Sequence, residues 1–357
     1  MQHATLDYDR RPAVVAWELT RACGLACRHC RADASPGRQD EELTTAEGRA
    51  LLEQVATFGD EQLVVLTGGD PLTRPDLPEL IEHGIDCGLR MTLSPSGTGS
   101  LTADRLAALA DAGLDGVALS LDGPDAPRHD GFRGVDGSFE RTREAAETVR
   151  ELGLSLQLNT TVCAETVEGL AAMAELVESL DAGRWGLFFL VPVGRGAMLE
   201  PLAPTRADRL MHWLAELAES RPFGVKPTEA PQFRRVAHET YRAAATGARR
   251  RAGIRAGQGF LFVDHRGRVM PSGFLPEAAG SVRAVSAPTL YRESALFERL
   301  REDAALGGTC GACPHRSRCG GSRSRAYAHT GDPLAADPLC PFVPAGYDGP
   351  VPGPAHR

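Results

Sequence analysis

Seven of the nine cysteines in this 357-residue chain fall into two groups, and grouped thiols are where its chemistry must begin. The first group, Cys23-x3-Cys27-x2-Cys30, offers three thiolates, one short of the four protein ligands that close a structural zinc site. Three thiolates on a [4Fe–4S] cluster leave one iron free to bind something else. A small molecule that chelates this iron through an amine and a carboxylate could take an electron from the cluster and fragment into a radical. A zinc knuckle is the bland reading of the triplet, and its place at a strand end ahead of a glycine turn argues against it. The second group is Cys310-x2-Cys313-x5-Cys319, with Cys340 after a loop of 20 residues. Four thiolates can close a site completely, around zinc or around a fully ligated cluster. Cys87 and Cys163 stand apart and read as small buried hydrophobes.

The elements that must position these residues follow an alternating grammar. From Pro12 to about Ser220, short apolar runs alternate with helix-length segments. Strands are expected at 13–19, 62–67, 89–94, 116–121, 154–162 and 185–191. Thr44 with Glu47 forms a capping box that opens a helix ending at Gly59. Further helices are expected at 75–83, 103–112, 139–152, 167–180 and 205–219. Six βα units with right-handed crossovers predict an α/β fold, a partial (β/α)6 barrel over residues 12–222, with active residues at the C-terminal strand ends. The cysteine triplet lies immediately after the first strand. A linker helix region (223–252, helical from 232 to 245) leads to a small C-terminal domain at 253–345. That domain opens with a hairpin turning at His265 to Gly267 and carries the second cysteine group. The tail, 346–357, reads as disordered.

The segment WELTRACGLACRHCRA, Trp17 to Ala32, resembles the cluster loop of the radical S-adenosylmethionine (SAM) superfamily, with His29 where an aromatic residue is usual. The resemblance covers nearly the whole chain. It implies a barrel of radical SAM type, a [4Fe–4S] cluster on Cys23, Cys27 and Cys30, and SAM as cofactor. Thr67-Gly68-Gly69-Asp70-Pro71 is similar to the family's GGE motif, whose backbone carbonyls hold the methionine amine, with Asp in place of Glu. Ser94, Ser120, Asp122 and Asn159 with Thr160 are similar to positions that touch the cofactor's carboxylate or ribose. Val191, Pro192 and Gly194 resemble the adenine-side loop. The segment CGACPHRSRCGG, continuing to GDPLAADPLC, resembles SPASM or twitch-type domains that carry auxiliary [4Fe–4S] clusters. Arg255 and Ser272 stand where cysteines for a further cluster would lie. One auxiliary cluster is therefore expected, on Cys310, Cys313, Cys319 and Cys340, with an electron-transfer or structural role.

The 39 basic and 47 acidic residues give a net charge of −8, which argues against a general nucleic-acid binder. No apolar run approaches the roughly 20 residues that span a bilayer, and a cytoplasmic location is expected. The resemblance implies a flavodoxin or ferredoxin-type electron donor. Arg133, in the loop after the fourth strand, and Arg323 and Arg325, beside the second cysteine group, suit bidentate carboxylate binding. The detailed pattern resembles the haem-biosynthesis branch, whose members decarboxylate or trim tetrapyrrole side chains. The expectation is an enzyme, a radical SAM oxidoreductase or lyase, that cleaves SAM to a 5′-deoxyadenosyl radical and abstracts hydrogen from a carboxylate-bearing small molecule. A maturase of ribosomally made peptides is the alternative. Such enzymes often carry a leader-binding module, for which residues before Pro12 leave almost no room. An iron–sulfur redox sensor or electron carrier is the non-enzyme reading, and the GGDP turn speaks against it, because a carrier has no need of a cofactor amine site.

Overall fold

The computed structural model describes residues 7–240 and 253–353, and within them the βα grammar becomes one open sheet. Seven strands run parallel in chain order: β1 (Val14–Glu18), β2 (Leu63–Thr67), β3 (Arg90–Leu93), β4 (Gly116–Ser120), β5 (Ser155–Val162), β6 (Arg184–Phe189) and β7 (Gly224–Thr228). Between and after them come α1 (Thr45–Ala56), α2 (Leu77–Asp86), α3 (Ala103–Asp111), α4 (Ala126–Arg133), α5 (Ser138–Glu151), α6 (Leu170–Ser179), α7 (Pro204–Ser220) and α8 (Gln232–Thr240). The capping box on Thr44 and Glu47 is formed, with both reciprocal bonds. No described helix is long and apolar enough to cross a membrane.

Alternation along each strand separates two faces. Trp17, Leu66, Leu93, Leu119, Leu158 and Leu187 are buried in the layer beneath the helices. Each such leucine contributes about 1.5–3 kcal/mol on leaving water, so a one-residue slip of any strand would be costly. The opposite, inner face is apolar at β1, β8 and β9, where Ala16, Phe262 and Met270 are buried, and polar at β5, where Gln157, Asn159 and Thr161 are half-buried while their neighbours Leu158 and Thr160 are buried. Parallel pairing brings the C-terminal strand ends level. Glu18 sits opposite Thr67, so the cysteine loop and the Gly68-Gly69 turn leave the sheet side by side.

Three departures from the expected layout have physical causes. The barrel does not stop at residue 222, because β7 adds to β6 as the edge strand. Its GVKPT sequence has little strand character, and Pro227 is tolerated there because an edge strand need not donate every ladder bond. The loop expected to hold Arg133 is helix α4, capped by Asp125 and closed by Gly134 in the left-handed conformation. The C-terminal region is continuous with the barrel: β8 (Phe260–Val263) pairs in parallel with β1, and β9 (Arg268–Met270) and β10 (Gly280–Ser281) extend that edge. Beyond lie α9 (Ala287–Glu293), α10 (Ala295–Arg301), α11 (Gly308–Ala312) and α12 (Arg323–Thr330). Residues 241–252 of the expected linker and 354–357 of the tail lie outside the described residues.

Candidate active site and second cysteine centre

The loop after β1 gathers Cys23, Cys27 and Cys30 into one packed group with Leu25, Ala34 and Val135. Backbone N–H groups point at two of the sulfurs, Leu25 N to Cys23 Sγ and Ala34 N to Cys30 Sγ, both at 3.4 Å. Arg133 Nη1 approaches Cys27 Sγ at 3.7 Å. Burial pushes the Cys23 and Cys27 thiols up from their ordinary pKa. Metal binding at such a site must displace protons, which donors aimed at sulfur assist by favouring the thiolate. Three thiols, a positive neighbour and N–H donors fit a cluster with one open iron.

Two glycine turns clamp this loop. Gly69 N donates to Thr20 O and Asp70 N to Ala22 O, at 2.8 and 2.7 Å. A Cβ on Gly68, whose φ is +148°, would come within 2.4 Å of Thr20 O, and one on Gly69 within 2.5 Å of Ala22 O. On the other side Gly194, at φ +55°, leaves the same clearance of 2.5 Å to Cys30 O. Arg195 N and Nε donate to Cys30 O and Cys27 O. Only glycine allows backbone to approach backbone this closely.

Asp70 is fully buried and does not face the opening. Its carboxylate accepts from Leu72 N, Ser96 N and Thr98 Oγ1, and Ser96 Oγ in turn donates to Gly69 O at 2.6 Å. Asp70 thus orients the turn rather than a ligand. Asp70→Ala would orphan the Thr98 hydroxyl and loosen Ser96, at a cost on the order of 1–3 kcal/mol. The expected result is SAM binding weakened roughly tenfold with iron content unchanged. Equal SAM affinity in parent and variant would remove the assigned role.

Of the other expected cofactor contacts, Ser94, Ser120 and Asn159 lie half-buried on the inner face near the mouth. Val191 is buried and Pro192 half-buried beside the cysteine loop. Asp122 is different. It is buried, accepts from Thr161 N at 2.6 Å and pairs with Arg133 Nη2 at 2.6 Å. Burial alone would raise its pKa, but the guanidinium outweighs this and holds it at about 2. Its Oδ2, beside the Arg133 guanidinium, accepts no hydrogen bond among the described residues. His29 stacks on Phe132 at 4.7 Å, and burial lowers its pKa to about 4, so the ring is neutral.

One connection carried no signal in the sequence. Glu18, the last residue of β1, is fully buried and pairs with Arg31 Nη2 at 2.8 Å and His265 Nδ1 at 2.8 Å. Burial opposes its ionisation, and Arg31 with His265 outweighs that to hold its pKa at about 2. Arg31 follows Cys30 directly and lies over the Phe262 ring, so it ties the cysteine loop to the β8–β9 hairpin.

Cys310, Cys313, Cys319 and Cys340 line one cavity together with Arg235, His315 and Phe342. Asp337 N, His315 N and Gly321 N point at Cys310, Cys313 and Cys319 Sγ at 3.4, 3.4 and 3.5 Å. Burial raises the Cys313 and Cys340 thiols and pushes Cys319 up to about 12. Among the described residues no three His, Cys, Asp or Glu side chains converge on one ion-sized point. Arg255 and Ser272 are engaged elsewhere, Arg255 with Asp303 at 2.8 Å and Ser272 Oγ donating to Glu229 at 3.1 Å.

The three arginines expected to bind substrate carboxylates are spent on the protein. Besides Arg133 with Asp122, Arg323 is buried and donates to Gly321 O, Pro333 O and Ala335 O, with Nη2 at 3.6 Å from Cys310 Sγ. Arg325 donates to Leu190 O, Phe189 O and Glu229 O and pairs with Asp337 at 3.2 Å. None presents a free fork to the mouth.

A cysteine triplet at the first strand end, clamped by glycine turns under a sheet face that is polar at β5, is the arrangement of one known class of enzyme. Residues 17–177 match the radical SAM superfamily. The chain is 36% identical over 341 residues to the AdoMet-dependent heme synthase of Methanosarcina barkeri, covering 93% of this chain and 97% of that protein. It is 33% identical over 350 residues to the pre-heme d1 synthase of Dinoroseobacter shibae, covering 92% and 85%. The chain therefore belongs to the radical SAM superfamily and is an enzyme; the family implies a [4Fe–4S] cluster and SAM. Its fold also matches Streptococcus suis SuiB bound to S-adenosylmethionine, with a TM-score of 0.74 over 93% of this chain and 78% of that one at 14% identity.

Proposed function

We propose that this enzyme modifies the carboxylate-bearing side chains of a tetrapyrrole by radical SAM chemistry, through oxidative decarboxylation or side-chain removal. The observation that carries the radical part is the packing of Cys23, Cys27 and Cys30 into one group between the two glycine clamps. When bound, the cluster and SAM together supply a 5′-deoxyadenosyl radical able to take hydrogen from an unactivated carbon. The chain's part is positional. Cys23, Cys27 and Cys30 hold the cluster, and Gly68 and Gly69, fixed by Asp70 and Ser96, orient carbonyls toward the methionine amine. Ser94, Ser120 and Asn159 offer hydroxyl and amide groups on the inner face, with Val191 and Pro192 on the adenine side.

The tetrapyrrole assignment is supported by the relatives named as heme and pre-heme d1 synthases. A second [4Fe–4S] cluster on Cys310, Cys313, Cys319 and Cys340 is part of the reading, supported by the four cysteines lining one cavity and by the resemblance of their segment to SPASM or twitch-type domains. The reductant is a flavodoxin or ferredoxin-type protein. The test uses anaerobically reconstituted enzyme, SAM, dithionite and an iron porphyrin with propionate side chains. 5′-Deoxyadenosine should form faster with the porphyrin, and the porphyrin should lose carboxyl groups by mass spectrometry. Formation at the same rate with and without tetrapyrrole, and no mass change, would overturn the substrate class.

A further inference from the structure

With Arg133, Arg323 and Arg325 engaged internally, a substrate carboxylate needs another cation. Of the 39 basic residues in the chain, one alone is lysine, Lys226. It stands in edge strand β7 opposite Gly186 of β6, which is opposite Asn159 of β5, which is opposite Ser120 of β4. Phe223 and Val225 pack against the apolar layer beneath the helices, so strand alternation turns Lys226 to the inner face shared with Ser120 and Asn159. Gly186 leaves a gap in that row, and Asn159 and Gln157 lean into it; a Cβ there would lie 2.4 Å from Asn159 Oδ1.

Arg184, two residues before Gly186 on the same strand, lies on this face one layer deeper, diagonal to Lys226. Both side chains are open to solvent. Neither forms an ion pair or hydrogen bond with another side chain among the described residues, in a chain with 47 acidic residues. Neighbouring residues crowd the Lys226 side chain although part of it reaches solvent, and this partial desolvation, with repulsion from Arg184 second, lowers its pKa below the ordinary lysine value. An anion placed between two such cations removes the repulsion and gains charge-assisted hydrogen bonds.

We propose that Lys226, backed by Arg184, seats a carboxylate of the substrate on the inner face at the open edge of the sheet. Lys226 lies two residues, roughly 7 Å, below the end of β7, so a macrocycle entering by this edge meets it while its reacting side chain reaches the mouth. This assignment rests on the tetrapyrrole reading and deepens it. The competing role for an inward charge on an edge strand is to discourage pairing with another chain, which requires no ligand.

The experiment titrates reconstituted, anaerobic holoenzyme with an iron porphyrin bearing four propionates and with its tetramethyl ester, following the Soret band. The parent should bind the acid at least tenfold more tightly than the ester. Lys226→Gln should lose most of that preference while binding the ester as the parent does, and Lys226→Arg should keep it. Because the chain has a single lysine, a second measurement needs no variant: acetylation of Lys226, read by peptide mass spectrometry, should slow at least tenfold with saturating acid and not with ester. Equal acid-over-ester preference in parent and Lys226→Gln, or acetylation indifferent to bound acid, overturns the assignment and leaves an edge-blunting charge. A parent that binds neither porphyrin saturably overturns the tetrapyrrole reading and this assignment with it.

Discussion

Changing Cys23, Cys27 and Cys30 together to Ala should lower the iron content of anaerobically reconstituted protein from about eight to about four per chain and abolish SAM cleavage. The iron figure follows from two centres of three and four thiolates, each suited to a four-iron cluster. The three side chains sit in a small satellite group outside the main apolar core, so their loss removes ligands without opening the core beneath the helices. The fold should survive, with circular dichroism close to the parent's. All three must be changed, because a cluster can persist on two thiolates and a solvent ligand and blur the reading. Near-stoichiometric zinc without iron in the parent, or SAM cleavage by the triple variant, would sink the assignment.

Arg325→Met should be the most disruptive of the arginine substitutions, and its damage should appear in stability and in the second cluster. The guanidinium joins α12 to the ends of β6 and β7 through Phe189 O, Leu190 O and Glu229 O, and it neutralises Asp337. Asp337 is fully buried, accepts from Ser322 N, and its own N–H points at Cys310 Sγ. Removing one partner of such a pair strands a buried charge and costs about 3–5 kcal/mol. For a chain of this size that lowers Tm by roughly 4–7 °C. Iron at the second centre should fall, because the segment carrying Asp337 and Cys340 loses its anchor. Arg316→Gln, at an exposed position beside the same cavity, is the control and should change neither quantity. A Tm within 2 °C of the parent for Arg325→Met, on the same scale of roughly 1–2 °C per kcal/mol, would show that Asp337 finds other compensation.

Much of this was legible from local pattern. Cysteine spacing, the glycines of the GGDP turn and the Thr44–Glu47 capping box are contacts between residues a few positions apart, where spacing along the chain constrains spacing in space. The six expected strands announced themselves as short apolar runs between helix-length segments, because the side chains beneath the helices must be apolar and, in β1, both faces are buried. The sheet's ends were less legible. Strand β7 is short, contains Pro227 and has one face open, so neither run length nor alternation marks it. The addition of β8 to β1 joins residues 246 positions apart, and no periodicity encodes which edge a hairpin will choose.

Charged residues divide in the same way. The cysteine spacing by itself implied a three-thiolate group open to a further ligand and a separate four-thiolate group, and the resemblance of the Trp17 to Ala32 segment implied the radical SAM family. It did not determine what the arginines do. Arg325 faces carbonyls 135 and 136 positions away, and Arg133 faces a sulfur 106 positions away, so their roles depend on which backbone ends are left unpaired once the sheet forms. Buried carbonyls and carboxylates must find donors, and the long guanidinium is the side chain that reaches several at once. Tertiary structure therefore withdrew Arg133, Arg323 and Arg325 from the mouth and left Lys226 and Arg184 as cations on its inner wall, a choice made by strand register and edge position rather than by residue type.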